Sequence, residues 1–151
     1  MSDAIRIRPV AASDEPAWHA LWAGYLDFYE ATLPPSTTAT TWKRIIGDDP
    51  VFGCLVAERN DHLIGIANYV LHPITWAELP VCLLHDLYVS PDARGAGAGR
   101  KLINALVEQA KTDRWARVYW LTRESNTTAR MLYDSFAPAD GFIRYTIRVP
   151  E

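Results

Sequence analysis

Leu87-Tyr88-Val89-Ser90-Pro91-Asp92-Ala93-Arg94-Gly95-Ala96-Gly97-Ala98-Gly99-Arg100 is the stretch whose reading decides the architecture. An apolar strand runs into a short loop, glycines alternate at 95, 97 and 99, and an amphipathic helix follows. Glycines at a helix start let the backbone approach an anion and aim several N–H groups at it. The helix dipole adds a positive end. Phosphate is therefore the natural ligand, with Arg94 and Arg100 to supplement the charge. A nucleotide P-loop needs Gly-Lys-Ser/Thr, and Gly99-Arg100-Lys101-Leu102 lacks it. The dinucleotide fingerprint needs a third glycine three places after its second, where Arg100 stands, and an early βαβ unit that is missing. The plain alternative is a glycine-rich turn without a ligand.

Working outward, Ala4 to Val10 alternates apolar and charged residues as a first strand does. Ser13 is placed to cap a helix, with Asp14 and Glu15 at its positive end and Pro16 in its first turn. Trp18, Leu21, Trp22, Tyr25 and Phe28 or Tyr29 then recur at helical spacing. Leu33-Pro34-Pro35 stops that helix, and a shorter one is expected over Thr41–Ile46 before Gly47-Asp48-Asp49-Pro50. Strands are expected over Phe52–Glu58 and Leu63–Leu71, joined at Asn60-Asp61, and over Val81–Val89 after a loop from Pro73 to Pro80. A helix over Gly99–Lys111, a strand over Arg117–Thr122, a helix over Thr127–Phe136 and a closing strand over Phe142–Val149 complete the chain. The order β-α-α-β-β-β-α-β-α-β implies a mixed α/β sheet with helices on both faces.

The chain has 151 residues, the size of one domain, and no repeat or Gly/Ser linker divides it, so residues 1–151 are expected to form a single unit. Hydrophobic residues at 49% and charged residues at 22% exclude a disordered chain. No apolar run reaches the roughly 18 residues of a membrane helix. Met1-Ser2-Asp3-Ala4-Ile5-Arg6 lacks the pattern of a secretory leader, and the expected location is cytoplasmic. Two cysteines, Cys54 and Cys82, argue against a disulfide framework or cysteine zinc site, and His19, His62 and His72 have no partners at ligand spacing; no metal is expected. A net charge of −3 disfavours nucleic acid as a partner and suits a cationic small molecule or peptide.

Arg94-x-x-Gly97-x-Gly99 after Asp86-Leu87-Tyr88-Val89 resembles the acetyl-CoA-binding signature of the GNAT N-acetyltransferases. A second signature follows in the right order, Asn126-x-x-Ala129-x-x-Leu132-Tyr133, with Gly141-Phe142 beyond. More narrowly, Leu84–Val89 and Val118–Asn126 resemble the small fungal histone/polyamine and D-amino-acid acetyltransferases and their bacterial relatives. The resemblance implies the GNAT fold, an α/β architecture whose central mixed sheet splays between strands 4 and 5. It implies acetyl-CoA as co-substrate, its pantetheine arm lying in the splay on backbone groups of the Leu87-Tyr88-Val89 strand. The N–H groups of Gly95, Ala96, Gly97, Ala98, Gly99 and Arg100 would hold the pyrophosphate, with Asn126 and Ala129 on the cofactor side. Core packing of Leu87 and Val89 is compatible with this, because the bonds are main-chain.

Acetyl transfer to an amine needs a neutral nitrogen, a polarised thioester and a protonated leaving group. An alkyl amine with pKa about 10.4 is neutral in only about one molecule in two thousand at pH 7, and deprotonating it costs about 4.6 kcal/mol. Tyr133 is the candidate acid for the sulfur, since a phenol stays protonated at pH 7. The alternative is that Ala129, Leu132, Tyr133 and Phe136 form an ordinary buried stripe. Many GNAT relatives carry Glu-Asp before the Leu-Tyr-Val stretch; here the pair is His85-Asp86, and either His85, Asp86 or water is the base. On a regular strand the two side chains face opposite ways, and a lone histidine on an apolar strand is as readily a core residue. Tyr25, Tyr29 and Glu30, with Trp76 and Glu78 on the long loop, are candidates for a cationic acceptor, while Trp18 and Trp22 read as core. A primary amine of a polyamine, amino acid or lysine-like molecule is the expected acceptor, attacking directly because Cys54 and Cys82 lie outside both motifs. The competing class is a non-catalytic acetyl-CoA-binding sensor. The β-forming 142–149 segment suggests a homodimer through strand pairing or exchange.

Overall fold

Alternating residues and one tight turn build most of the sheet. A computed structural model describes residues 4–151; the Met1-Ser2-Asp3 start, read above for the absence of a leader, lies outside the described residues. Five strands, β1 (Arg6–Pro9), β2 (Phe52–Arg59), β3 (His62–His72), β4 (Val81–Val89) and β5 (Val118–Tyr119), lie side by side in sequence order. All neighbours are antiparallel except β4 and β5, which run parallel. Asn60 and Asp61 both take positive φ, 51° and 63°, the left-handed pair that a two-residue hairpin loop demands. The parallel step is bridged by α3 (Ala98–Asp113), as a crossover requires.

Period-two alternation divides the sheet into two faces. Cys54, Val56 and Ile66 meet Trp18, Leu21 and Trp22 of α1 (Glu15–Phe28) and Trp42 and Ile45 of α2 (Pro35–Ile46). Gly65, next to Ile66, faces the other way, where a Cβ would stand 3.4 Å from Leu102 of α3. Trp18 and Trp22 stack at 5.3 Å, both buried, and truncating a tryptophan so placed costs about 3–5 kcal/mol. Helix α1 sits so close to β4 that a Cβ on Gly24 would fall 2.5 Å from the Tyr88 phenol oxygen. A larger residue there would have to displace the Tyr88 ring.

Several expectations change, and the strand expected over Arg117–Thr122 is confined to Val118–Tyr119. Ser13 lies in a 3-10 turn, Ala12–Asp14, and it is Asp14 that fixes the entry to α1. The Asp14 carboxylate accepts from the Ala11 N–H at 2.7 Å and holds the Arg8 guanidinium in a two-pronged pair at 2.7 and 2.9 Å, while Arg8 also donates to Glu58 at 2.6 Å. Pro34-Pro35 not only follows the first helix but opens the second, because proline's fixed φ suits a first helical position; α2 therefore begins at Pro35 and not near Thr41. The expected closing strand over 142–149 does not form.

The chain divides into two compact units, the first ending at Leu121 and the second spanning residues 122–151. The second holds α4 (Thr127–Asp134), two residues shorter than the spacing suggested. Residues 142–149 pair with no strand among the described residues, and Ile143, Tyr145, Ile147 and Val149 are 73–93% exposed. A β-forming sequence without a neighbour cannot satisfy its ladder, so propensity alone leaves it extended and unpaired.

Candidate active site

The pairing of β4 exposes one of its backbone edges. Its contact with β5 covers only Cys82↔Val118 and Leu83↔Tyr119. On the other side it stays registered with β3 up to Gly65↔Val89, and the Ser90 N–H donates to Ile64 O at 2.8 Å. Hydrogen-bonded and non-bonded pairs alternate in an antiparallel ladder, so Leu87 and Val89 turn their N–H and C=O groups away from β3. Those groups face the side that β5 has left. The pairing of β4 with β5 thus ends at Leu83, short of Leu87 and Val89.

This edge runs into the glycine loop. Gly95 and Gly97 both have φ +87°, and a Cβ on either would meet nothing within 4 Å. The first condition makes glycine the default residue, and the second leaves room for a ligand to approach the main chain. Gly97 is the N-cap of α3 with no side chain to satisfy the helix start, so the N–H groups of Ala98 and Gly99 have no intrahelical acceptor. These residues fit a pyrophosphate. Arg94 is anchored behind the loop: its Nε donates to Val89 O at 3.2 Å, and its guanidinium lies over the rings of Phe28 and Tyr88 at 5.9 and 5.7 Å. Arg100 is exposed on the first turn of α3.

Four residues before Val89, the ladder breaks. Asn68 pairs with Asp86 but Tyr69 pairs with Leu84, so His85 is an extra residue, a β-bulge. Strict alternation would put His85 and Asp86 on opposite faces; the bulge brings them together, with His85 Nδ1 2.9 Å from Asp86 Oδ1. His85 is 61% exposed, which removes the core-histidine reading, and Asp86 beneath it is buried. Asp86 Oδ2 accepts from Asn68 Nδ2 at 3.2 Å, and Asn68 Oδ1 accepts from Trp18 Nε1 at 3.2 Å. The sequence reading missed Asn68. A single amide in the apolar run Ile64–Val70 was the available signal.

Trp22 and Tyr25 of α1 and Tyr29 at its C-cap continue the aromatic series at 5.4 and 5.0 Å, and Tyr25 stands edge-on to Tyr88 at 6.5 Å. Glu30 follows the helix with φ 52° and is exposed, as are Trp76 and Glu78. In the second unit Asn126 is the N-cap of α4 and donates from Nδ2 to Thr122 Oγ1 at 3.0 Å. Ala129 and Tyr133, four residues apart, share one face of that helix, and both are half-buried. Burial pushes the Cys54 and Cys82 thiols up to about 12, so neither is a thiolate at neutral pH. A cleft of about 600 Å³ opens between α1 and α2, lined by Glu15, His19 and Trp42 among others. It contains none of the β4, loop or bulge residues.

Comparison with known proteins agrees with this geometry. Residues 18–137 match the acetyltransferase (GNAT) family model. A D-amino-acid N-acetyltransferase of Saccharomyces cerevisiae is 35% identical over 141 residues, covering 91% of this chain and 86% of the yeast protein. A phosphinothricin N-acetyltransferase of Alcaligenes faecalis is 29% identical over 131 residues, 85% of this chain and 66% of that protein. The fold also superposes on an aminoglycoside N-acetyltransferase crystallised with CoA, with a TM-score of 0.81 at 17% identity over 99% of this chain and 98% of that one. The exposed β4 edge, the glycine cradle and the family match converge: the chain belongs to the GNAT acetyltransferase family and is an acetyl-CoA-dependent N-acetyltransferase.

Proposed function

We propose that the acetyl group of acetyl-CoA passes directly to a primary amine of a small polyamine, amino acid or lysine-like acceptor. The carrying observation is the exposed His85 held on the buried Asp86, two residues and about 7 Å of strand from Leu87. A carboxylate only accepts, so Nδ1 carries the hydrogen and Nε2 keeps a lone pair for the substrate's proton. His85 takes one proton from the ammonium, and the freed nitrogen attacks the thioester carbon. The C–N bond forms and the C–S bond breaks. Tyr133 gives its hydroxyl proton to the departing sulfur and regains one from the acylated nitrogen, which balances the step.

Leu87, Val89, Gly95–Arg100, Arg94, Asn126 and Ala129 hold the co-substrate in this reading. Tyr25, Tyr29 and Glu30 offer aromatic faces and a carboxylate to a cationic acceptor. The yeast relative named for D-amino acids supports an amino-acid acceptor. The buried, protonated cysteines support transfer without an acyl-enzyme. A purely CoA-binding sensor has no use for an exposed imidazole backed by a buried carboxylate. Incubation with acetyl-CoA and a panel of polyamines, D- and L-amino acids and lysine analogues, following free thiol, tests the reading. Turnover with a cationic amine is expected; thermal stabilisation by acetyl-CoA without thiol release from any amine would favour the sensor.

The assembly we propose is a cytoplasmic homodimer of a single domain, 1–151, the family match spanning both units of the chain. Ile143, Tyr145, Ile147 and Val149 alternate with Arg144, Thr146 and Arg148, an amphipathic strand exposed along its whole length. Pairing with a second copy would supply its missing ladder. Sedimentation at micromolar concentration should give a dimer, and a truncation before Phe142 a monomer; a monomeric full chain defeats the assembly.

A further inference from the structure

Three strands and a helix bring one row of polar groups into an otherwise apolar face. Cys54 of β2, Asn68 of β3 and Asp86 of β4 are cross-strand neighbours, and Trp18 of α1 lies over them. Asn68 and Asp86 are the only buried polar residues among those described, 4% and 6% exposed. Such groups are costly unless every hydrogen bond is made. Here the bonds form an ordered row that converges on the Asp86 carboxylate: Trp18 Nε1–H to Asn68 Oδ1, Asn68 Nδ2–H to Asp86 Oδ2, and His85 Nδ1 to Asp86 Oδ1.

The bonds of the row have fixed directions. An indole N–H is donor only, so the Asn68 carbonyl must face Trp18 and its NH₂ must face Asp86. Flipping the amide would set donor against donor at one end. Asp86 consequently meets a donor on Oδ2, remains an acceptor on Oδ1, and demands the hydrogen of His85 Nδ1. Trp18 thus holds the Asn68 amide, and the amide holds the Asp86 carboxylate with Oδ1 turned to His85, the placement on which the imidazole's tautomer depends.

We infer that Asn68, held by Trp18, is a positioning residue that locks His85 in the Nδ1–H tautomer and so keeps Nε2 available as the base. This rests on the assignment of His85 as base given above. The other titratable groups around the row are Cys54, which also lies against the Trp18 indole, His19, edge-on to Trp18 at 5.2 Å and paired with Glu15, the Tyr25 and Tyr88 phenols, and Tyr69 on the opposite face, bonded to Gln109.

Long-range ¹H–¹⁵N spectra of the histidines at alkaline pH, where imidazole is neutral, report the tautomer without reference to activity. The full chain should show His85 as Nδ1–H. Asn68→Leu, which keeps the volume and removes both arms, should shift His85 toward the Nε2–H form, and Trp18→Phe, which frees the amide to flip, should shift it partly. In both, kcat should fall about tenfold, a fraction of the 10²–10⁴ a general base contributes, with KM within about twofold. His19→Asn should change neither signal nor rate. If Asn68→Leu does not fold, Trp18→Phe and Asn68→Ser carry the same readout. An unchanged His85 tautomer in the folded variants overturns the positioning role. A shifted tautomer with unchanged kcat, together with a fully active His85→Gln, overturns the base assignment and leaves the lock standing.

Discussion

Substituting Gly97 separates strain in the loop from its contact with the co-substrate. At φ +87° any other residue costs about 1–2 kcal/mol. At about 2–4 °C per kcal/mol for a chain this size, Gly97→Glu should lower the ligand-free Tm by about 2–8 °C. No protein atom lies within 4 Å of the new Cβ, so the strain is backbone strain and no collision adds to it. Acetyl-CoA at a hundred times its Kd should stabilise the unaltered protein by about 2.7 kcal/mol, or about 5–11 °C. A carboxylate about 4 Å from a phosphate charge near a protein surface costs about 4 kcal/mol. That is about a thousandfold in Kd, which reduces the same stabilisation to about 0.1 kcal/mol. Differential scanning fluorimetry with and without acetyl-CoA reads both effects. Gly97→Gln keeps the strain and bulk but not the charge, so it should lose the same ligand-free Tm and retain part of the ligand shift. An undiminished shift in Gly97→Glu refutes the loop as the pyrophosphate cradle.

Other outcomes follow from single groups. Tyr133→Phe should keep the acetyl-CoA thermal shift while kcat falls about 10²–10⁴-fold, measured by thiol release; full activity removes the tyrosine from the proton path. The Arg8 guanidinium holds the Asp14 carboxyl below its ordinary range, so its contribution is complete above about pH 4 and is lost as pH falls through the lowered value. Asp14→Asn should therefore lose about 1.5–3 kcal/mol at pH 7 by denaturant unfolding, and the difference should close in strong acid. Cys54 and Cys82 should resist a thiol reagent at pH 8 until the chain unfolds, since burial keeps both protonated; rapid labelling of the native protein would contradict this.

The parts of the fold governed by local chemistry were legible in the sequence. The glycines at 95 and 97 are where the backbone needs positive φ, Asn60-Asp61 is a left-handed pair, and the aromatic spacing from Trp18 to Tyr29 is one helix face. Events set by pairing between distant strands were not. The bulge at His85 depends on how β4 registers against Asn68 of β3, seventeen residues away, and no alternation within β4 reveals it. The same dependence separates Phe142–Val149 from its expected strand, because propensity without a neighbour makes no ladder. Asn68 looked like one polar residue in an apolar run; its meaning came from Trp18 and Asp86 on either side of it.

Acetyl transfer is measured most directly by quantifying CoA thiol and acetylated amine in the same reaction, with the most active amine of the panel and without it. Direct attack predicts one amide per thiol, negligible thiol without amine, and an unmodified protein mass after incubation with acetyl-CoA alone. Thiol release without amide, or an acetylated protein that passes its group on when amine is added, would contradict the account.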